Sequence, residues 1–364
     1  MTSSFFNLPG AVDGVGLDAG VPAHYGNPAR EQRELAAGRA VVDLSNRAVL
    51  SLTGPDRLTW LDSITSQALV ALKPGESSET LVLSPNGRVE HALRLVDDGV
   101  TAWVLVERSE VEPLLGWLQR MKFMMRVELA DRSEEYKTVG TLGSPELPVA
   151  APNGVPLVWR DSWPSVRDGG HQYARGEHPA ADFTYSELIL HRDDQVAASR
   201  LPAAGMLALE ALRIAAWRPR LATEVDDKTI PHEVDWMRSA VHLHKGCYRG
   251  QETVAKVHNL GHPPRRLVML HLDGSESVLP DHGDAVELGE KQVGYVTSAA
   301  NHYELGPIAL AVVKRNTDPA EELVVVAGGT RVAAAQEVIV PTDAGASAGV
   351  PRLPRLGQVR RPPA

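Results

Sequence analysis

Apolar and polar positions alternate most regularly between Ala48 and Asp131. Ala48–Thr53 has the spacing of a short strand, and Gly54-Pro55 then opens a helix running to about Ser63, with proline in a favourable first-turn position. Thr80–Ser84 and Arg88–Val96 read as strands flanking Pro85-Asn86-Gly87, whose Asn-Gly pair predicts a hairpin turn. Asp97-Asp98-Gly99 turns the chain into a strand over Val100–Glu107, followed by a helix over Glu110–Arg120 and a last strand over Met125–Ala130. Further on, a strand is expected at Glu187–His191. Pro202 precedes a helix from Ala203 to about Trp217, with Met206, Leu209, Leu212 and Ala216 on one face, and Pro219 ends it. After Arg265 short strands recur at 267–272, 285–288, 293–298, 308–314, 322–327 and 331–335, and the turn residues between them predict a small barrel. Residues 1–28 predict an irregular lead-in, 341–364 a disordered tail, and 143–182 no organisation that periodicity resolves. Helices mixed with antiparallel strands make the fold class α+β.

A chain of 364 residues is too long for one small core and predicts two or three domains. Its net charge of −9 argues against direct nucleic-acid binding, which needs a broad basic surface. The first ten residues lack the basic and apolar regions of a signal peptide, and no apolar run approaches the ~20 residues of a membrane span. With a single cysteine, a reducing cytoplasm is the expected compartment.

That cysteine, Cys247, sits in the octet Lys245-Gly246-Cys247-Tyr248-Arg249-Gly250-Gln251-Glu252, directly before a helical pattern that Gly261 stops. Two flanking cations and a helix N-terminus favour a thiolate. Gly246 and Gly250 permit positive φ and close approach of a ligand to the main chain. The competing reading is a buried small hydrophobe, against which stands the absence of an apolar run around Cys247. No intrachain disulfide is possible.

Taken with this layout, the octet resembles the Lys-Gly-Cys-Tyr-x-Gly-Gln-Glu signature of the YgfZ family, within the superfamily of the glycine cleavage T-protein, a folate-dependent aminomethyltransferase. Val42–Asn46, Leu52–Asp56, Ser84–Arg88, Leu212–Ile214 and Thr229–Glu233 resemble the family more weakly. The resemblance implies a three-domain ring around a tetrahydrofolate-binding channel. A folate-binding α+β domain over 29–47 and 132–264 would carry the signature, with a ferredoxin-like unit over 48–131 and a C-terminal β-barrel over 265–340. It also implies an accessory role in assembly or repair of iron–sulfur proteins, and through them in tRNA modification, with iron–sulfur client or assembly proteins as partners. Conventional enzymatic turnover is not expected. Cys247 would be the reactive thiol, and Lys245, Gly246, Tyr248, Arg249, Gly250, Gln251, Glu252 and Arg213 the folate-binding set. The alternatives are a folate-dependent one-carbon transferase and a scaffold with a structural cysteine. The T-protein's Gly-Tyr-Thr-Gly-Glu motif has only a faint echo in Tyr185-Ser186-Glu187, and Glu90-His91 stands where the transferase carries two acids. Both departures rank the transferase second.

Other groups have two readings each. Arg213 suits a folate carboxylate, or pairs with Glu210 at i,i+3 on a solvated face. Trp217 and Trp236 suit pterin stacking or, more simply, the core. His242, His244 and Cys247 lack an established metal-ligand spacing, so no metal site is expected. His258 and His262 are expected to cap or face solvent, although any of the four histidines is a candidate base for the thiol. Arg265-Arg266, with Lys256 and Arg249, is the densest basic neighbourhood and suits an anionic ligand or ordinary solubilising charge. Met121–Met125 is expected to fill core.

Overall fold

The structure, a computed structural model, describes residues 3–194, 196 and 201–349. Three β-structures share the chain. The strand Ala48–Thr53, helix Arg57–Ile64, strands Ser77–Leu83, Val89–Asp97 and Thr101–Val106, helix Val111–Lys122 and strand Glu128–Asp131 build an antiparallel sheet. Ala48–Thr53 lies between Thr101–Val106 and Glu128–Asp131, the ferredoxin-like order, and Ser77–Leu83 adds one edge strand. One face of this sheet buries Leu50, Leu52, Leu93 and Val104 against Trp60, Leu114 and Leu118 of the two helices. At roughly 1.5–3 kcal/mol per buried aliphatic side chain, that face accounts for much of the unit's stability.

A second sheet orders Val158–Arg160, Ser186–His191, Tyr136–Thr141, Val41–Asp43 and Ala203–Ala204, the last pair parallel. The strands at 136–141 and 41–43 escaped the pattern reading because they are buried on both faces and show no alternation, and Val158–Arg160 because it is only three residues long. Helix Met206–Ala215 follows, shorter than the expected 203–217 because Ala203–Ala204 pairs with Val41–Val42 and Gly205 is the N-cap. Gly205 also passes tightly beneath the lead-in: a Cβ there would fall 2.1 Å from the Ala23 carbonyl oxygen.

The C-terminal strands Arg265–Leu272, Gly306–Lys314, Lys291–His302, Ala285–Leu288, Leu323–Ala327 and Thr330–Val338 close a six-stranded barrel. The fold is therefore α+β with a terminal β-barrel. One continuous core joins all three structures, running from Leu83 and Trp103 through Trp159, Tyr185 and Leu209 to Leu267 and Leu310. The expectation of a disordered tail falls outside the described residues from Val350 onward. Before that point it is corrected, because Ala344 is buried and the Ser347 and Ala348 amides donate to the carbonyls of His258 and Asn259. Among the described residues no helix is long and apolar enough to cross a membrane.

Candidate functional site

Between the two sheets and helix Met206–Ala215 lies a cavity of about 70 Å³. At ~10–15 Å³ of such space per water this holds about five waters, roughly the bulk of a bicyclic heterocycle. Trp159, Phe183, Tyr185 and Trp236 supply aromatic walls, while Arg47, Arg94, Arg213, Arg218 and Arg220 bring five guanidinium groups to its boundary. So much charge is tolerated in the interior only because carboxylates meet it. Arg218 pairs with Glu79 (2.7 Å) and Asp161 (2.8 Å), and Arg220 pairs with Glu107 (2.9 Å) and Asp18 (2.9 Å). Arg47 (2.6 Å) and Arg94 both reach Glu187, which also accepts from the Tyr185 hydroxyl. Burial pushes the Glu107 carboxyl up, but Arg47 and Arg220 outweigh it and hold the group at about 2. Burial pushes Asp161 up despite Arg218.

Three buried donors of the lining have no protein partner among the described residues, Arg47 Nε, Arg218 Nη1 and Trp236 Nε1; Glu187 Oε2, on the carboxylate behind Arg47 and Arg94, is unpaired too but does not line the space. Unsatisfied buried groups cost about 1–3 kcal/mol each, so a cluster of them at one cavity is the mark of a binding place rather than of core. Trp236 is thus core by burial and cavity wall by position; Trp217 is buried as well but does not line the cavity.

Arg213 reaches the cavity boundary with its guanidinium already committed. Nε and Nη2 donate to Glu210 Oε2 (2.8 and 2.6 Å), Nη1 to Glu224 Oε2 (3.1 Å) and the Arg218 carbonyl (3.2 Å), and Nη2 also to Ser298 Oγ (2.6 Å) on the barrel. The expected pair with Glu210 exists, but in the interior rather than on a solvated face, with Arg213 only 5% exposed.

None of the octet lines this cavity. The octet is instead clamped to the ferredoxin-like sheet and its helices. The Lys245 ammonium donates to the carbonyls of Asp62 (2.5 Å), Thr65 (2.9 Å) and Gln67 (2.7 Å), closing off the C-terminal end of helix Arg57–Ile64, where the helix dipole favours a cation. Burial pulls the Lys245 group down, with Asp62 opposing. Arg249 pairs with Glu90 (2.8 Å) and lies over the Trp117 ring at 5.9 Å. Both cations expected to flank the thiol therefore have other partners. Gly250 has φ +85, and a Cβ there would meet the Ser84 carbonyl oxygen at 2.6 Å; on the hairpin, a Cβ on Gly87 would meet Thr253 Cβ at 2.9 Å. The two glycines let the Asn-Gly turn nest against the start of helix Gln251–Leu260. Gly246 is not in the positive-φ region, and an added Cβ there meets nothing within 4 Å, so the backbone reason for glycine holds only at Gly250. Tyr248 is buried and its hydroxyl pushed up by desolvation, Gln251 Nε2 donates to the Lys245 carbonyl (3.3 Å), and Glu252 is exposed. Cys247 is exposed, which removes the reading of a buried small hydrophobe.

The remaining candidates sort themselves by burial. His258 is buried, with Nδ1 3.1 Å from the Tyr173 hydroxyl and its ring 4.7 Å from that of His171; desolvation pulls both histidines down. His262 Nδ1 sits 2.8 Å from the Ala344 carbonyl oxygen. His242 and His244 approach each other at 6.3 Å between rings, and no cluster of metal-ligating side chains occurs among the described residues. Arg265 is half-buried and bound to Asp226 (2.6 Å) and Glu233 (2.8 Å), and Arg266 is fully buried on carbonyl oxygens, so the Arg265-Arg266 pair is a structural joint instead. Pattern reading missed Arg47, Arg218, Arg220, Asp161 and Trp159. They come from three separate stretches, and the visible signal was the run Arg218-Pro219-Arg220 after an apolar helix.

The description "Glycine cleavage T-protein C-terminal barrel domain" matches residues 265–340. The chain is 27% identical to the tRNA-modifying protein YgfZ of Shigella dysenteriae, over 76% of this chain and 85% of that one. It is 24% identical to the aminomethyltransferase of Symbiobacterium thermophilum, over 77% of this chain and 79% of that protein. The crystal structure of the glycine cleavage system aminomethyltransferase T from Bartonella henselae superposes with a TM-score of 0.69 at 18% identity, covering 92% of this chain and 94% of that one. With the barrel, the two sheets and the complete octet in place, the chain is similar to YgfZ and to the aminomethyltransferases, and its residues 265–340 form the barrel domain of the glycine cleavage T-protein.

Proposed function

We propose that the protein binds tetrahydrofolate at the central cavity and serves as an accessory factor in the assembly or repair of iron–sulfur proteins in the cytoplasm, with Cys247 as the working thiol. The observation that carries this reading is the exposed sulfur of the one cysteine, mounted on an octet whose two cations are anchored at Asp62, Thr65, Gln67 and Glu90. A thiol with no packing role on a fixed platform is placed for chemistry with another molecule. The folate part is supported by the aromatic walls and by the unpaired donors of the lining: Arg218 Nη1, Arg47 Nε and Trp236 Nε1 suit the carbonyl and ring nitrogens of a pterin. When bound, a reduced folate would supply a one-carbon carrier or a redox-sensitive ring. Arg213 is a structural residue in this reading, and the octet serves the thiol rather than the pterin.

The transferase reading is weaker on one observation. Glu90 is held by Arg249, and His91 Nδ1 lies 2.5 Å from Glu110 Oε2, so the two groups that follow the hairpin are occupied with protein partners. Aminomethyl transfer needs an acid or base free to reach the reacting nitrogen.

Calorimetric titration with tetrahydrofolate under anaerobic conditions tests the cavity, and activity of iron–sulfur enzymes in cells carrying Cys247→Ser tests the thiol. Because the two places are distinct, Cys247→Ser should leave tetrahydrofolate affinity within about twofold while lowering client activity. Absence of tetrahydrofolate binding removes the folate part, unchanged client activity removes the thiol part, and turnover of an aminomethyl donor moves the protein to the transferases.

A further inference from the structure

The segment Met121-Lys122-Phe123-Met124-Met125, expected in the core, is the most exposed apolar surface of the described chain. Phe123 is 88% and Met124 83% exposed, with Met121 and Met125 at 40% and 42%. Monomeric proteins rarely leave a contiguous cluster of this kind uncovered without a use for it. The tip is not a loose loop. Helix Val111–Lys122 ends on Phe123 with φ +43, a backbone conformation that costs a bulky residue energy. On one side Trp60 Nε1 donates to the Met121 carbonyl (3.2 Å), and the Met125 amide closes the turn on the Lys122 carbonyl (2.9 Å). On the other, the Arg126 amide and Nε both donate to Asp56 Oδ2 (2.9 Å) and Nη2 to Oδ1 (2.6 Å). Gly54 lets the Arg126 carbonyl approach where a Cβ would sit 2.1 Å from it. A strained turn pinned at both ends presents Phe123 and Met124 with little conformational entropy left to lose, the condition for a binding anchor.

Charge identifies the kind of surface that would cover it. Arg120 and Lys122 fall within seven residues that contain no acid, on a chain of net charge −9, while the third cation there, Arg126, is matched by Asp56. Neither Arg120 nor Lys122 has a carboxylate partner in an ion pair among the described residues. An anionic bilayer would repel the chain's net charge of −9, whereas a pocket with an acidic rim meets the tip alone. We infer that the 121–125 tip is a docking anchor for a partner protein that offers an apolar groove rimmed by carboxylates. Its position gives the contact a purpose. The helix that ends at the tip carries the Trp117 ring beneath Arg249, six residues or about 9 Å of helix away, and Trp60 belongs to the helix that Lys245 caps. The same two helices carry the tip and the octet, so a protein seated on Phe123 is brought alongside Cys247. The inference stands whether or not the cavity binds folate.

Two synthetic helical peptides test it, both with one leucine and phenylalanine stripe, one flanked by glutamates and the other by lysines, followed by fluorescence anisotropy on the full chain. The glutamate peptide should bind about tenfold or more tighter than the lysine peptide. Phe123→Ser with Met124→Ser should weaken it by a similar factor at unchanged Tm, and Arg120→Glu with Lys122→Glu should reverse the preference. Equal or absent binding of the glutamate peptide, indifference to the serine variants, or failure of the reversal would overturn the inference. So would Phe123-dependent partition into phosphatidylglycerol vesicles, or Phe123-dependent self-association in ultracentrifugation.

Discussion

Replacing Arg213 with alanine should damage stability far more than ligand binding. The guanidinium makes three hydrogen bonds of 2.8 Å or shorter, to Glu210 and Ser298, and contacts Glu224 at 3.1 Å, all in the interior. Its loss leaves Glu210 with Arg220 as remaining cation at 3.4 Å. Glu224 keeps the Arg220 amide (2.7 Å), Thr223 Oγ1 (2.8 Å) and Ser298 Oγ (2.5 Å), but no cation from Arg213. Breaking a buried pair from one side costs about 3–5 kcal/mol. The surviving hydrogen bonds place this case at the low end, about 3 kcal/mol, a large share of a typical total of ~5–15 kcal/mol. Burial pushes Glu210 up, but Arg213 and Arg220 outweigh it, so its folded value is depressed. The stability it contributes is therefore present above the unfolded carboxylate range and lost as pH falls through the lower folded value. In the variant Glu210 protonates more readily, so the deficit should shrink between pH 7 and pH 4. Arg213→Met combined with Glu210→Gln should recover part of it, since the main pair is then neutral on both sides. Urea unfolding followed by tryptophan fluorescence at several pH values measures each quantity. A deficit below about 1 kcal/mol together with weakened tetrahydrofolate binding would show that Arg213 serves a ligand and would refute the structural assignment.

Lys245→Met should cost roughly 2–3 kcal/mol in urea unfolding, because three carbonyls at a helix end lose their donor; a cost near zero would mean the ammonium is not held there. Cys247→Ser, at an exposed side chain, should stay within about 0.5 kcal/mol of the parent, and unfolding of that variant would restore a packing role. Gly250→Ala should be destabilising by more than about 1 kcal/mol, since φ is +85 and Ser84 blocks the Cβ, and faster amide exchange at the hairpin should accompany it; a neutral result would mean the octet is not docked there. Asp235 is raised to about 7 by burial, with the Tyr173 amide and Arg238 opposing. Its contribution is complete below the unfolded value and lost as pH rises through about 7. Asp235→Asn should thus gain on the parent by about 1.4 kcal/mol per pH unit between pH 4 and 7, and a pH-independent difference would contradict this.

Local signals carried the reading far where one face of an element meets water. The hairpin at Pro85-Asn86-Gly87, the strand Ala48–Thr53 and the barrel strands all announce themselves by alternation and turn residues, and the octet by its isolation from apolar sequence. The wholly buried strands at 136–141 and 41–43 lack alternation and were invisible. Local chemistry also misjudged direction. Lys245 and Arg249 are adjacent to Cys247 in sequence yet turn to Thr65 and Glu90, partners more than 150 residues away. Met121–Met125 has core composition, but no periodicity says that a helix ends there with its apolar residues outward. Arg265-Arg266 was charged enough to suggest a surface but is committed to Asp226, Glu233 and carbonyl oxygens that lie far off in sequence, with Arg266 fully buried.

These misjudged directions bear on mechanism. By sequence the octet leads into the barrel, yet its anchors, Asp62, Thr65, Gln67 and Glu90, all lie on the ferredoxin-like unit. The cavity is bounded on one side by Glu79, Arg94 and Glu107 of that same unit, and on the other by Asp161, Arg218 and Arg220. Three ion pairs at it, Arg218 to Glu79, Arg220 to Glu107 and Arg94 to Glu187, join the ferredoxin-like unit to the rest of the chain. A ligand that rearranges those pairs would shift the unit that holds the thiol, because Lys245 and Arg249 fasten the octet to it more tightly than the chain alone does. Cavity occupancy and thiol presentation are then coupled through one rigid body without any contact between ligand and sulfur. The coupling is reciprocal, so a partner drawn to the tip at Phe123 would alter affinity in the cavity by the same factor as the ligand alters docking.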